Sequence, residues 1–69
     1  MTQRELQELL DRDPFQPLKI TLSSGEAIEV TNPRWVVPMR NQFFVALPDD
    51  RYKIIWLRHV ASVESVQAA

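Results

Sequence analysis

The fold is decided by the sequence WLRHVASV, which occupies residues 56–63. It ends an apolar segment, places Arg58 beside the single histidine of the chain, His59, and continues into small and β-branched residues. Because β-branched residues favour extended structure, we expect a tight turn at Arg58 and His59 and a final strand over residues 61–66. Residues 67–69 are expected to fray.

The segments before this turn predict further strands. Residues 18–22 and 28–30 alternate apolar and polar side chains, the two-residue period of a strand with one buried face. The single glycine, Gly25, lies between them, where a hairpin favours positive φ. A third strand begins at residues 35–37. Since Pro38 cannot donate to a ladder, this strand is expected to be an edge or to bulge there.

Two apolar runs follow in the second half of the chain. Residues 43–47 are continuously apolar, which predicts a strand buried on both faces. Residues 52–57 also lack a polar face, which predicts a strand that is central or lies at an interface. Between them, Pro48 pre-sets φ for a turn.

A short helix precedes the strands. Thr2 and Glu5 have the spacing of a capping box, in which each residue's side chain bonds the other's backbone N–H. Three leucines starting at Leu6 share one helix face, and Pro14 ends the helix because it disfavours helical geometry in the preceding residue. The pattern predicts a helix over residues 3–12. It is too short to be stable alone and is expected to cap one end of the strands.

The order of elements predicts one domain over residues 1–69 that is mainly β. Five or six short antiparallel strands over residues 18–66, separated by closely spaced turns, are typical of a small barrel or a strongly bent sheet.

The composition excludes several kinds of site. The 69 residues include no cysteine, so disulfides and thiolate metal sites are absent, and one histidine cannot supply the ligands of a structural zinc site. We therefore expect no metal and no cofactor. A domain this small that lacks disulfides and metals gains stability by oligomerisation, so we expect self-association.

The charge and hydropathy patterns bear on partners. The net charge of −1 argues against a strongly electrostatic nucleic-acid binder, although basic residues exceed acidic ones in the second half of the chain. No apolar run reaches the roughly 20 residues that span a bilayer. The N-terminus has no signal-peptide pattern. These features predict a cytoplasmic protein with no membrane partner.

Catalysis is poorly supported by the residues present. His59 is the sole candidate histidine base, and its nearest hydroxyl, Ser62, follows three residues later with nothing to aim it. Asp49 and Asp50 are adjacent acids of the kind that forms turns. One glycine cannot build a phosphate-binding loop. We expect no catalytic residue and no enzyme.

Arginines and aromatic residues are interleaved in the second half of the chain, which combines phosphate partners with stacking surfaces as single-stranded nucleic acid requires. The neighbours are Arg34 and Trp35, Arg40 and Phe43, Arg51 and Tyr52, and Arg58 and Trp56. The alternative is structural, because aromatics in a small domain usually belong to the core and arginine stems cover them. His59 either joins such a surface or satisfies a turn carbonyl. The candidate ligand- or RNA-binding residues are Arg58, His59, Trp35 and Arg34.

The chain resembles the Sm-like domains, in particular the bacterial Sm-like RNA chaperones. LRHVAS at residues 57–62 is similar to their second motif, with Arg58 and His59 at the positions of a Lys-His dipeptide, and ITLSSG at residues 20–25 is similar to the start of the first. The similarity covers about residues 14–66. It implies an N-terminal helix, five strands, assembly as a ring and binding of uridine-rich RNA at the pore.

A second resemblance spans most of the chain. DPFQPLKI at residues 13–20, Gly25, and LRHVASVE at residues 57–64 resemble a group of short bacterial proteins of unknown function. These proteins share a Pro-Phe-x-Pro start, a glycine turn and a histidine turn. This resemblance implies that the histidine turn belongs to the scaffold, and it implies no activity.

Together these features predict an SH3-like or Sm-like barrel with an N-terminal helix. The expected function is a non-enzymatic interaction module that self-associates through a sheet edge and binds an unidentified protein or peptide partner. The alternative is an Sm-like ring that binds single-stranded RNA.

Overall fold

The computed structural model describes residues 1–66, and the predicted fraying of residues 67–69 lies outside this described part. Its elements are α1 (Gln3–Leu10), β1 (Leu18–Leu22), β2 (Ala27–Val30), β3 (Val36–Pro38), β4 (Gln42–Ala46), β5 (Tyr52–Trp56) and β6 (Val60–Ser65), with a first 3-10 helix at Pro33–Trp35 and a second at Leu57–His59.

The strands form two antiparallel sheets of three. One sheet has the order β2-β1-β6, and the other has the order β3-β4-β5. Long-range pairing of β1 with β6 joins the start of the β region to its end, with a register shift between Thr21 and Leu22. The prediction of a mainly β chain with an N-terminal helix is confirmed.

The predicted closed barrel is not confirmed, because the chain leaves the extended conformation twice. Between β2 and β3, Pro33 begins the first 3-10 helix, and Asn32 Oδ1 accepts a hydrogen bond from the Arg34 backbone N–H at 2.9 Å. Between β5 and β6 the second 3-10 helix interrupts the strand. No strand pairing bridges either break within residues 1–66, so the strands divide into two sheets.

The helix is set by its N-terminal residues. The capping box is present, with the Glu5 N–H donating to Thr2 Oγ1 at 3.1 Å and the Thr2 N–H donating to Glu5 Oε1 at 3.0 Å. The helix ends at Leu10 with Asp11 as its C-cap, two residues before the predicted end. Its buried side chains, Leu6 and Leu10, dock it on the sheets.

One apolar core lies between the helix and the inner faces of both sheets. Along β1 every second residue is buried, as its alternating sequence predicts. The core consists of Leu6, Leu10, Leu18, Ile20, Leu22, Ile28, Val30, Val36, Phe43, Val45, Ile55 and Leu57.

Burial in the second sheet differs from the prediction. β4 is central in its sheet, yet only Phe43 and Val45 are buried while Phe44 on the other face is half-buried. Burial on both faces is therefore wrong for β4. β5 is an edge strand, so the prediction that it is central is wrong, and the alternative of an interface stays a prediction. Pro38 lies on the edge strand β3, which confirms that prediction.

The turns follow their residue types. Gly25 has φ +94° in the β1–β2 hairpin, as predicted. In the β4–β5 turn Asp49 and Asp50 both have positive φ, at 66° and 59°. Aspartate tolerates this region because its short side chain bonds locally to the backbone.

Candidate functional site

The backbone of the Arg58–His59 turn ties three parts of the chain together. The Leu57 N–H donates to the Asn41 carbonyl at 2.9 Å. The His59 carbonyl accepts from the Ser23 N–H at 2.7 Å and from Ser23 Oγ at 3.0 Å. With Leu57 buried in the core, the turn is fixed at both ends. Its backbone has a scaffold role.

The side chains of this turn are exposed. The Arg58 guanidinium lies over the Trp56 indole, 5.0 Å from the ring centroid, in a cation–π contact. His59 is also exposed. These two predicted site residues are adjacent and accessible to a partner.

The other predicted pair lies elsewhere. Arg34 and Trp35 belong to the first 3-10 helix, immediately before β3, and both are exposed. β3 begins opposite Val45, whereas Trp56 lies opposite Gln42 on the same strand, so the two ends differ by about 10 Å along β4. The structure thus divides the four predicted residues into two separate pairs.

A cleft of about 540 Å³ beside the Trp56–Arg58 stack includes a basic residue, Arg40, that is not among the four predicted site residues. Arg40 and Asn41 from the β3–β4 turn face Trp56 and Arg58 there, and Gln3 of α1 completes the rim. No carboxylate lines the cleft within residues 1–66, and neither arginine forms an ion pair with a described residue.

The second sheet carries an apolar outer face, defined here as Val37, Phe44, Tyr52, Ile54 and Trp56. Four of these are exposed large hydrophobic side chains, and the fifth, Phe44, is half-buried between them. The Phe44 and Tyr52 rings stack with 5.4 Å between centroids. Contiguous exposed apolar side chains of this kind are typical of interaction surfaces.

The edge of β5 is open along this outer face. The Leu47 N–H donates to the Arg51 carbonyl at 2.8 Å, and the Leu57 N–H donates to Asn41 at 2.9 Å, so odd-numbered residues of β5 bond to β4. Because alternate residues direct their backbone groups to opposite sides, Tyr52, Ile54 and Trp56 present N–H and C=O at the free edge.

A groove of about 350 Å³ lies along the same edge. Its lining includes the buried residues Leu22 and Ile55 together with the exposed residues Ile54 and His59. Toward the start of β5, Lys53 forms an ion pair with Glu26 of the β1–β2 hairpin. The groove leaves space beside the edge for the side chains of an added strand.

The other sheet edges are less suited to pairing. On β3, Pro38 lacks a donor, and Gln3 Nε2 donates to its carbonyl at 3.5 Å. β2 is four residues long and carries the exposed Glu29. β6 exposes small and polar side chains, which include Ser62 and Glu64. Among the edges in residues 1–66, β5 alone combines unpaired backbone with large apolar side chains.

The helix cap shifts the pKa of Glu5. Hydrogen bonds from Thr2 to the Glu5 carboxylate lower the pKa of Glu5 below its ordinary value. The bond from the Thr2 backbone N–H has the larger effect, and the bond from the Thr2 hydroxyl has the smaller one. This shift belongs to the helix cap. Within residues 1–66 no three His, Asp or Glu side chains come together as a metal site would require.

Comparisons with protein-family models, with curated proteins and with solved structures found no match to this chain. Both resemblances therefore stay predictions. In the described part of the chain, α1 and the two 3-10 helices are far too short to cross a membrane.

The sequence did not predict that Arg40 lies beside Arg58 or that β5 is an exposed edge strand. Arg40 follows Pro38 in a turn, and nothing in its local sequence indicates that the chain brings it beside Arg58. The sequence did contain a signal for β5, because residues 52–57 lack a polar face. Such a strand is either central or an edge strand with one apolar face exposed to water, and only the order of strands in the sheet distinguishes these two positions.

Proposed function

We propose that this protein is a non-enzymatic interaction module that self-associates through the free edge of β5. The main support for this proposal is that β5 presents unpaired backbone groups at Tyr52, Ile54 and Trp56, and that the side chains of these residues are apolar and exposed. Strand addition to such an edge gains backbone hydrogen bonds and covers apolar surface in one step. A protein or peptide partner would compete with the second copy for the same edge.

Molar mass measured by light scattering over a range of concentrations tests this proposal. We expect the mass to rise above that of a monomer. Ile54→Pro should shift the protein to monomer, because proline removes a donor at the free edge without breaking a bond to β4. Glu29→Pro is the matched control, since Glu29 lies at the middle of the β2 edge and its N–H also faces away from its neighbour.

Circular dichroism establishes that both proline variants stay folded. A wild-type protein that remains monomeric at millimolar concentration would overturn the proposal. Equal loss of association in the Ile54 and Glu29 variants would assign the contact to some other surface.

The second candidate function is single-stranded RNA binding by an Sm-like ring. It is supported by the cleft in which Arg40 and Arg58 lie beside Trp56 without a carboxylate. Guanidinium groups hold phosphates, and an exposed indole offers a stacking surface for a base. The near-neutral net charge keeps this function second.

Titration with uridine-rich RNA at two salt concentrations tests the second candidate. Binding should weaken with salt, since phosphate contacts release counterions. Arg40→Gln and Arg58→Gln should each lower affinity, whereas Arg34→Gln, an exposed arginine beside the other tryptophan, should not. Undetectable binding at low salt, or an equal effect of all three variants, would eliminate this function.

A further inference from the structure

We infer that two copies pair their β5 strands antiparallel about a two-fold axis at Ile54, joining the two β3-β4-β5 sheets into one continuous sheet. This inference rests on the proposed self-association and specifies its partner, register and symmetry. It excludes a head-to-tail contact between β5 and another edge.

The hydrogen-bonding direction of β5 sets the register. Only Tyr52, Ile54 and Trp56 point backbone groups at the free edge, so each must meet a residue of the second copy that does the same. Pairing Ile54 with Ile54 of the second copy, and Tyr52 with Trp56, uses all three residues of both copies. Any other antiparallel register leaves at least one of them unpaired.

Side chains on the outer face agree with this register. Directly opposed residues of antiparallel strands point to the same face, so Tyr52 of one copy lies against Trp56 of the other at both ends of the paired region. The two Ile54 side chains meet at the axis. Aromatic cross-strand pairs are among the favourable ones, and the two apolar outer faces become one.

Charge complementarity at the ends of β5 supports the same arrangement. Beyond the paired strands, the same register brings the β4–β5 turn of one copy, which carries Asp49 and Asp50, close to the second 3-10 helix of the other, which carries Arg58 and His59. All four side chains are exposed in the single chain, and none forms an ion pair with a described residue. In the centre Lys53 lies opposite Ile55, so no like charges oppose each other.

Single-cysteine cross-linking tests the axis, because the chain has no cysteine of its own. Under diamide oxidation Ile54→Cys should form a covalent dimer, since directly opposed strand residues have Cα separations within disulfide range, about 5.5 Å. Val37→Cys is the matched control: Val37 is 52% exposed and Ile54 53%, but Val37 lies on the opposite edge of the same sheet. It should cross-link far less.

A mixing experiment tests the register. Tyr52→Cys and Trp56→Cys should cross-link when the two variants are mixed and only weakly when each is oxidised alone. Strong cross-linking of either variant alone would indicate a shifted or parallel register and would overturn the inference.

A charge exchange tests the ends. Asp50→Arg and Arg58→Asp should each weaken self-association at least threefold, and the protein that carries both substitutions should recover most of the loss. Additive losses in the double variant would contradict the proximity of the β4–β5 turn of one copy to the second 3-10 helix of the other.

Molar mass and cross-linking together distinguish failure of the proposed self-association from failure of the two-fold β5 pairing. A monomeric wild-type protein overturns both. A protein that associates, but whose Ile54→Cys variant cross-links no better than Val37→Cys, overturns the two-fold β5 pairing and leaves the general self-association standing.

Discussion

Val37 and Ile54 flank Phe44 in one cross-strand row of the outer face, and their side chains are almost equally exposed, at 52% and 53%. Their edges differ. Val37 lies on β3, which Pro38 and α1 close, whereas Ile54 lies on β5, whose backbone is open. The pair therefore separates an effect of the apolar face from an effect of the free edge.

We predict that Ile54→Lys raises the dissociation constant for self-association at least tenfold, equivalent to about 1.4 kcal/mol. The two introduced ammonium groups would meet at the axis. Val37→Lys should change the constant by less than about threefold, since it stands two strands away from the contact. Sedimentation equilibrium measures both constants. If both substitutions abolish association equally, the outer faces stack on each other and the edge is not the contact.

Phe43 and Phe44 are neighbours on β4 that point to opposite faces. Phe43 is fully buried, and Phe43→Ala should cost about 3–5 kcal/mol by removing core contacts and leaving a cavity. That loss is a large part of the stability of any small domain, so the variant should be largely unfolded at 25 °C. Phe44→Ala, on the half-buried face, should remain folded. Urea denaturation measures both, and equal losses would show that the outer face is buried in solution.

Much of this fold could be predicted because its signals are local. Gly25 and the capping box at Thr2 and Glu5 act within a few residues, and the structure confirms both. The division into two sheets was harder to predict. It depends on whether the chain stays extended from β2 into β3 or forms the 3-10 helix that Pro33 and Asn32 stabilise.

The candidate site was harder to predict for the same reason. Arg58 and His59 were correctly expected in a turn that follows an apolar strand. Arg34 and Trp35 lie apart from them along β4, a separation that follows from strand register, and the binding role of all four residues stays a prediction. Arg40 reaches the cleft beside Arg58 through the same register, which no single segment of the sequence reveals.

Gly25 offers a test of backbone strain without steric interference. At φ +94° a Cβ would have open space around it, so the cost of Gly25→Ala comes from the backbone conformation alone. We expect a loss of about 1–2 kcal/mol in the free energy of unfolding. Gly25→Asn should lose less, because asparagine tolerates positive φ. Thermal and urea unfolding provide the measurement, and an alanine variant as stable as wild type would mean that the hairpin adopts another turn.

The capping box should make the stability of α1 depend on pH. The pKa of Glu5 is lowered in the folded state by hydrogen bonds from Thr2, so folding favours the carboxylate. Its contribution is therefore fully present above the ordinary glutamate pKa and is lost as the pH falls through the lowered folded pKa. Glu5→Gln keeps a side-chain acceptor but does not titrate. The stability advantage of wild type over this variant, measured by urea unfolding, should shrink as the pH is lowered from 7 to 3.

Thr2→Ala separates the cap from the titration. Removing the hydroxyl acceptor of the Glu5 N–H should cost about 1 kcal/mol at neutral pH. In Thr2→Ala the Glu5 carboxylate loses the hydrogen bond from the hydroxyl but keeps the one from the residue-2 backbone N–H, which has the larger effect on its pKa. Part of the pH dependence due to Glu5 should therefore persist. The stability difference between Thr2→Ala and the double variant Thr2→Ala/Glu5→Gln should therefore still shrink as the pH falls. A difference that does not change with pH would contradict the assignment to Glu5.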